Sequence, residues 1–172
     1  QARAFDGAEW SPLFQGTYCA GALVRINEAQ SSNARTIADA AGEFEDWFEL
    51  RNLTNASLDL GGFHLSDDAS DPAKFTIPEG VTIPAQGHLI FWADDDASQG
   101  PTHVNFRLSA SGDYLGLFGP AELSAVRFDS TELPSLQQDH SYARTVDGRG
   151  DFMRTARPTP GRKNRPADLN PQ

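Results

Sequence analysis

The stretch GEFEDWFELRN, residues 42–52, carries Glu43, Glu45, Asp46 and Glu49 beside Phe44, Trp47 and Phe48. Two carboxyls about 5–9.5 Å apart, one of them holding its proton near neutral pH, are what acid-assisted glycoside hydrolysis requires. Same-face neighbours two residues apart on a strand lie about 6.5–7 Å from each other, so the distance fits. The flanking pattern offers neither a cleft nor a means of burying one carboxyl. The stretch therefore reads as a strand whose charged side chains meet water, with Asp46 near the core edge.

Acids in loops suggest a different chemistry. SDDASD supplies Asp67, Asp68 and Asp71, and ADDDAS supplies Asp94, Asp95 and Asp96. Calcium takes about six to eight hard oxygens from carboxylates, carbonyls and water, and two such loops can provide them if they meet at one end of the fold. Neither has EF-hand spacing or its closing glutamate. The competing expectation is that these aspartates cap turns by accepting backbone N–H bonds.

His64, His88, His103 and His140 fall on different segments with no H-x-H or H-E-x-x-H spacing, which argues against a zinc site. There is no G-x-S-x-G elbow and no glycine-rich phosphate loop, and the single cysteine, Cys19, can form no internal disulfide. Asn27, Glu28 and Asn52 sit at strand ends, where buried polar side chains usually tie loops to backbone donors and acceptors. The RGD tripeptide at 149–151 lies in a turn and is short enough to arise by chance.

The elements that position these residues are strands. Period-two alternation runs through ALVRINE (22–28), DWFELRN, HVNFRLS, DYLGLFG, LSAVRFD (123–129) and HSYART (140–145), and GHLIFWA (87–93) is apolar on both faces. In DWFELRN, Phe48 and Leu50 point one way, and Trp47, Glu49 and Arg51 the other. ASG, between HVNFRLS and DYLGLFG, punctuates like a hairpin. SSNARTIADAAGEF (31–44) reads as a loop. Seven to nine short strands separated by Gly, Pro, Asn and Asp clusters predict an all-β immunoglobulin-like sandwich.

Residues 21–156 hold this pattern. Residues 1–20 form an irregular leader whose Trp10 and other aromatics can dock on the domain, and 157–172 read as a Pro-rich basic linker. The start lacks the basic and apolar regions of a signal peptide, so it reads as a mature N-terminus or a piece of a longer precursor. No apolar run is long enough to span a membrane as a helix. The chain carries a net charge of −10, with +4 from Arg144 onward and −14 before it. A body of that sign repels phosphate backbones, which argues against duplex nucleic acid as a partner.

INEAQSSN, GEFEDWFELRN, DLGGFHLSDD, FTIPEGVTIPAQGHLIFWA, HVNFRLSASGDYLGLFG and SYARTVDGRGDF…PTPGRKN stand in the order of the lamin-tail domain, which residues 22–164 resemble along their length. The closest likeness is to the bacterial branch, through ELxN, LSDD and PTPGxxN. The resemblance implies an immunoglobulin-like sandwich with no catalytic residues to carry over. It also implies an accessory module of a larger surface or secreted bacterial protein, placed outside the cytoplasm, holding a protein, glycan or cell-wall partner. Phe63, Tyr114 and Trp10 are the aromatics expected to mark a binding face, with Trp47 and Trp92 in the core. The alternatives are a structural spacer and a metal-dependent hydrolase or phosphoesterase. No cofactor is expected beyond the calcium that the acidic loops can hold.

Overall fold

The computed structural model describes residues 23–120 and 126–165. In chain order the strands are β1 (Val24–Gln30), β2 (Trp47–Asn52), β3 (Leu58–Asp59), β4 (His64–Ser66), β5 (Phe75–Thr76) and β6 (Thr82–Ile83). They continue with β7 (His88–Trp92), β8 (Gly112–Phe118), β9 (Arg127–Pro134), β10 (Ser141–Val146) and β11 (Arg149–Thr155). No helix occurs among the described residues. One sheet has the order β11-β10-β1-β2-β7, the other β5-β4-β8-β9, and β3 pairs with β6 apart from both. The fold is the expected immunoglobulin-like sandwich. The eleven strands among the described residues exceed the expected seven to nine because β3, β5 and β6 are two-residue pairings too short to leave a period in the sequence.

The two sheets close on one apolar core. Ile26 and Leu50 come from the five-stranded sheet, and Leu65, Leu115 and Leu117 from the four-stranded one, all removed from solvent. Burying each such side chain stabilises the fold by about 1.5–3 kcal/mol. Phe48 stacks between Phe91 and Phe106, with ring centroids 5.5 and 6.2 Å away.

At one margin the sheets are joined by charge. Asp129 of β9 accepts two bonds from Arg144 Nη2 of β10, at 2.8 and 3.0 Å, and one from the backbone N–H of Ile26 at 2.9 Å. Arg25 adds a fourth at 3.1 Å. A buried carboxylate needs this many donors to offset the water it gives up.

HVNFRLS is not a strand, and the hairpin expected across ASG does not form. Val104, Phe106 and Leu108 do turn inward while Asn105 and Arg107 face water, but the backbone pairs only at isolated bridges, Trp92 with His103 and Asp94 with Arg107. Alternating burial created the strand-like period without a ladder. β8 pairs instead with β4 and β9. LSAVRFD is represented only from Val126 onward, its first residues lying outside the described segments. β11 was not foreseen. Its hairpin with β10 turns through Asp147 and Gly148, and Gly148 adopts the left-handed φ of +68° that suits glycine. The RGD tripeptide opens β11.

Candidate functional site

A β-bulge re-aims the first strand. β1 and β2 pair Ile26 with Leu50, then Glu28 with Glu49, leaving Asn27 as the extra residue. Before the bulge Val24 and Ile26 face the core. After it Ala29 does, opposite Phe48, and Glu28 and Gln30 turn to the outer face beside Glu49 and Trp47.

That outer face is not solvated. Trp47 and Glu49 are fully buried and Arg51 nearly so, which corrects the expectation that this side of β2 meets water. Over Glu28 and Glu49 the cover is the C-terminal segment PTPGRKN, Pro158–Asn164, which crosses the sheet as a strap, while Trp47 donates its indole N–H to Gln30 at 2.6 Å. Thr159 donates its N–H to Glu28 at 3.0 Å and its hydroxyl at 2.7 Å, and Ser141 also donates to Glu28. The N–H of Gly161 bonds to Glu49 at 2.5 Å, and the Asn27 amide bonds to its other oxygen at 2.8 Å. Buried Asn164 donates to the carbonyls of Asn27 and Arg144 at 3.2 and 3.0 Å. Residues 157–165, expected to begin a solvated linker, are thus docked on the domain. Residues 1–22, with Trp10 and Cys19, and 166–172 lie outside the described residues.

The electrostatics follow from burial. Loss of water raises the Glu49 carboxyl to about 8; the Asn27 and Gly161 bonds oppose the rise, and the charges of Glu28 and Asp147 add to it. Burial raises Glu28 as well, against its bonds from Ser141 and Thr159. Burial also works to raise Asp147, but His88 at 2.8 Å and the Arg51 Nε at 2.5 Å outweigh it and hold Asp147 at about 2. At neutral pH the group therefore holds Glu49 protonated beside an ionised, paired Asp147. Carboxyls pushed apart in this way resemble an acid–base pair. Here, however, Glu28 and Glu49 are wholly buried and bonded to the chain's own N–H and O–H groups, so the cluster fastens the strap.

Of the acids considered for calcium, Asp67 pairs with Lys74 at 2.6 Å, and Asp68 accepts the Ser70 N–H at 2.8 Å and its hydroxyl at 2.7 Å. Asp71 is exposed, with its N–H on the Asp68 carbonyl. Asp94 is buried against His103 Nδ1 at 2.5 Å and accepts the Asp96 N–H. Asp95 is exposed at a φ of +62°, and Asp96 caps Ser98. The two loops meet on a common segment, since Lys74 O accepts from Asn105 and the Asp95 N–H reaches Phe106 O. Among the described residues no three His, Cys, Asp or Glu side chains are grouped to hold a metal.

The remaining predicted residues are structural. Asn52 donates to the carbonyls of Ala56, Ile83 and Pro84 at 2.8–3.1 Å and accepts the Thr54 N–H, tying two loops as expected. Asp46, raised to about 6 by burial, accepts the Asn33 N–H. His64 bonds to Thr76, and His140 to the Gln138 carbonyl. Phe63 packs edge-on against Phe128 at 5.3 Å, and both Phe63 and Tyr114 are half-buried. The Glu28–Glu49–Asp147–His88 group escaped sequence reasoning. Its members span residues 28 to 147, 119 positions along the chain, so no local spacing announces the group.

Two comparisons bear on this architecture. The family model described as Lamin Tail Domain matches residues 20–132. Hemagglutinin A of Porphyromonas gingivalis is 26% identical over 137 residues, which is 67% of this chain and 5% of that protein. The chain thus spans a small fraction of that relative's length.

Proposed function

The chain belongs to the lamin tail domain family, and from that premise we propose that it is a non-catalytic adhesive module of a surface or secreted protein, holding a partner outside the cell. The observation that carries this reading is the sealing of Glu28 and Glu49 beneath the strap. The carboxyls best tuned for acid–base work have no solvent-exposed surface for a substrate to reach. Chemistry needs a donor within hydrogen-bond reach of the reacting group. What the fold leaves open is a rigid sandwich with loops at its margins, an arrangement suited to recognition.

The likeness to a protein named Hemagglutinin A supports attachment to a cell surface. Among the described residues no helix is long and apolar enough to cross a membrane. Fluorescently labelled protein, titrated onto a panel of intact bacterial and animal cells, tests the proposal. Saturable binding competed by unlabelled protein is expected. A panel without saturable binding would refute adhesion and favour a spacer.

A further inference from the structure

Beside the strap, against the start of β7, lies a cavity of about 590 Å³. Arg157, Arg162, Lys163 and Arg165 line it, and His88 stands at its inner wall. These are four of the fourteen Lys and Arg residues in a chain of net charge −10. Arg25, Arg51, Lys74 and Arg144 each satisfy an aspartate within the fold, and Arg35 pairs with Asp139. No such pair engages the four cavity cations among the described residues. The acids behind the wall do not neutralise them either: Asp147 is held by Arg51 and His88, and burial keeps Glu49 protonated. The cavity is an island of positive charge on an acidic body.

We propose that this cavity binds an anionic saccharide, a sugar chain bearing sulfate or carboxylate groups. The inference deepens the adhesive reading and rests on it. The volume falls in the range of small-ligand pockets, about 300–1,000 Å³, and exceeds what one isolated anion needs. Guanidinium forks match the planar or tetrahedral oxygens of carboxylate and sulfate. Among the described residues Pro158 is the only apolar side chain in the lining, which offers little seat for a peptide's side chains. Among the described residues the lining holds no Phe, Tyr or Trp on which a nucleobase could stack, its one aromatic ring, His88, is hydrogen-bonded to Asp147, and the acidic body repels a long phosphate chain. A saccharide presents hydroxyls and anions together and needs neither seat nor stack. The strap explains why the site can be stiff: Thr159, Gly161 and Asn164 are pinned to the sheet, and the cations between and beyond them project from a fixed backbone.

Titration calorimetry of the whole chain with short dextran sulfate, polygalacturonate and uncharged dextran tests the assignment, alongside the double variant R162A/K163A. Both side chains are exposed and outside the hydrogen-bond network, so the variant should melt with the parent, and a melt verifies it. At least one anionic polymer is expected to bind and dextran not. The better anion shows whether sulfate or carboxylate is preferred. The variant should bind on the order of tenfold more weakly at low salt, with the slope of log K against log salt reduced by about one to two. Equal binding by parent and variant, binding of neutral dextran, or duplex DNA binding as tightly as the polysaccharide would overturn the proposal. If labelled protein binds cells but no anionic polymer, the cavity assignment fails and adhesion stands. Polymer binding without cell binding keeps the cavity and removes the adhesive role.

Discussion

Replacing Glu49 by glutamine isolates an unusual pH dependence of stability. Burial holds the folded carboxyl at about 8, against 4.5 for a free glutamate. The folded chain therefore keeps a proton that the unfolded chain releases. Glu49's contribution is fully present below about pH 4.5 and is lost as pH rises through about 8. The full shift corresponds to about 5 kcal/mol, or at most about 1.4 kcal/mol per pH unit in that window. Glu28 and Asp147 share the titration and spread it, so a slope of about 0.7–1.4 kcal/mol per unit is expected. Glutamine keeps the shape and one acceptor but turns an amide N–H₂ toward Asn27 or Gly161, costing about 1–3 kcal/mol at low pH. It cannot ionise in either state, so the cost fades as rising pH ionises the carboxyl of the unfolded wild type. Denaturant unfolding of both proteins from about pH 5 to 8 measures this, provided the m-values agree. The wild-type advantage should shrink by about 2–4 kcal/mol across that range. Asp46, which burial raises to about 6, titrates in both proteins and cancels in the difference. Parallel profiles, with a gap constant to within about 0.5 kcal/mol, would refute a protonated Glu49.

Other substitutions test the joints of the fold. Asp129→Ala strips the acceptor from buried Arg144 and should cost about 3–5 kcal/mol in denaturant unfolding; a loss below about 1 kcal/mol would mean the charges do not join the sheets. Asn52→Ala leaves three carbonyls and the Thr54 N–H without their partner. It should lower stability by about 2–4 kcal/mol, and a melting temperature equal to the parent's would contradict the tie. Millimolar calcium against EDTA should leave the melting temperature unchanged, since Lys74, Ser70, His103 and Ser98 already engage four of the loop acids. An upward shift of several degrees would instead establish a calcium site there.

What the sequence made legible was periodicity. Phe48 and Leu50 announced their face, and the Gly, Pro, Asn and Asp clusters announced the turns, which suffices for a sandwich. Side-chain alternation reports burial, however, and says nothing of hydrogen-bond ladders. Val104, Phe106 and Leu108 alternate into the core without forming a strand. A one-residue bulge leaves no trace in composition, yet the bulge at Asn27 moves Glu28 opposite Glu49 and creates the acid cluster. The strap was obscured for a different reason. Proline, arginine and lysine suggest a solvated linker, whereas the segment is held by the backbone of Gly161 and the small polar side chains of Thr159 and Asn164. Its cations point outward from a docked chain.

The most direct test of the central claim is the cell-binding titration, run beside assays on generic glycoside and phosphoester substrates with wild type and Glu49→Gln. The account predicts saturable binding to at least one cell type and no turnover by either protein. Turnover by the wild type that Glu49→Gln abolishes, with no saturable binding to any cell, would contradict it and make the buried carboxyls an active site.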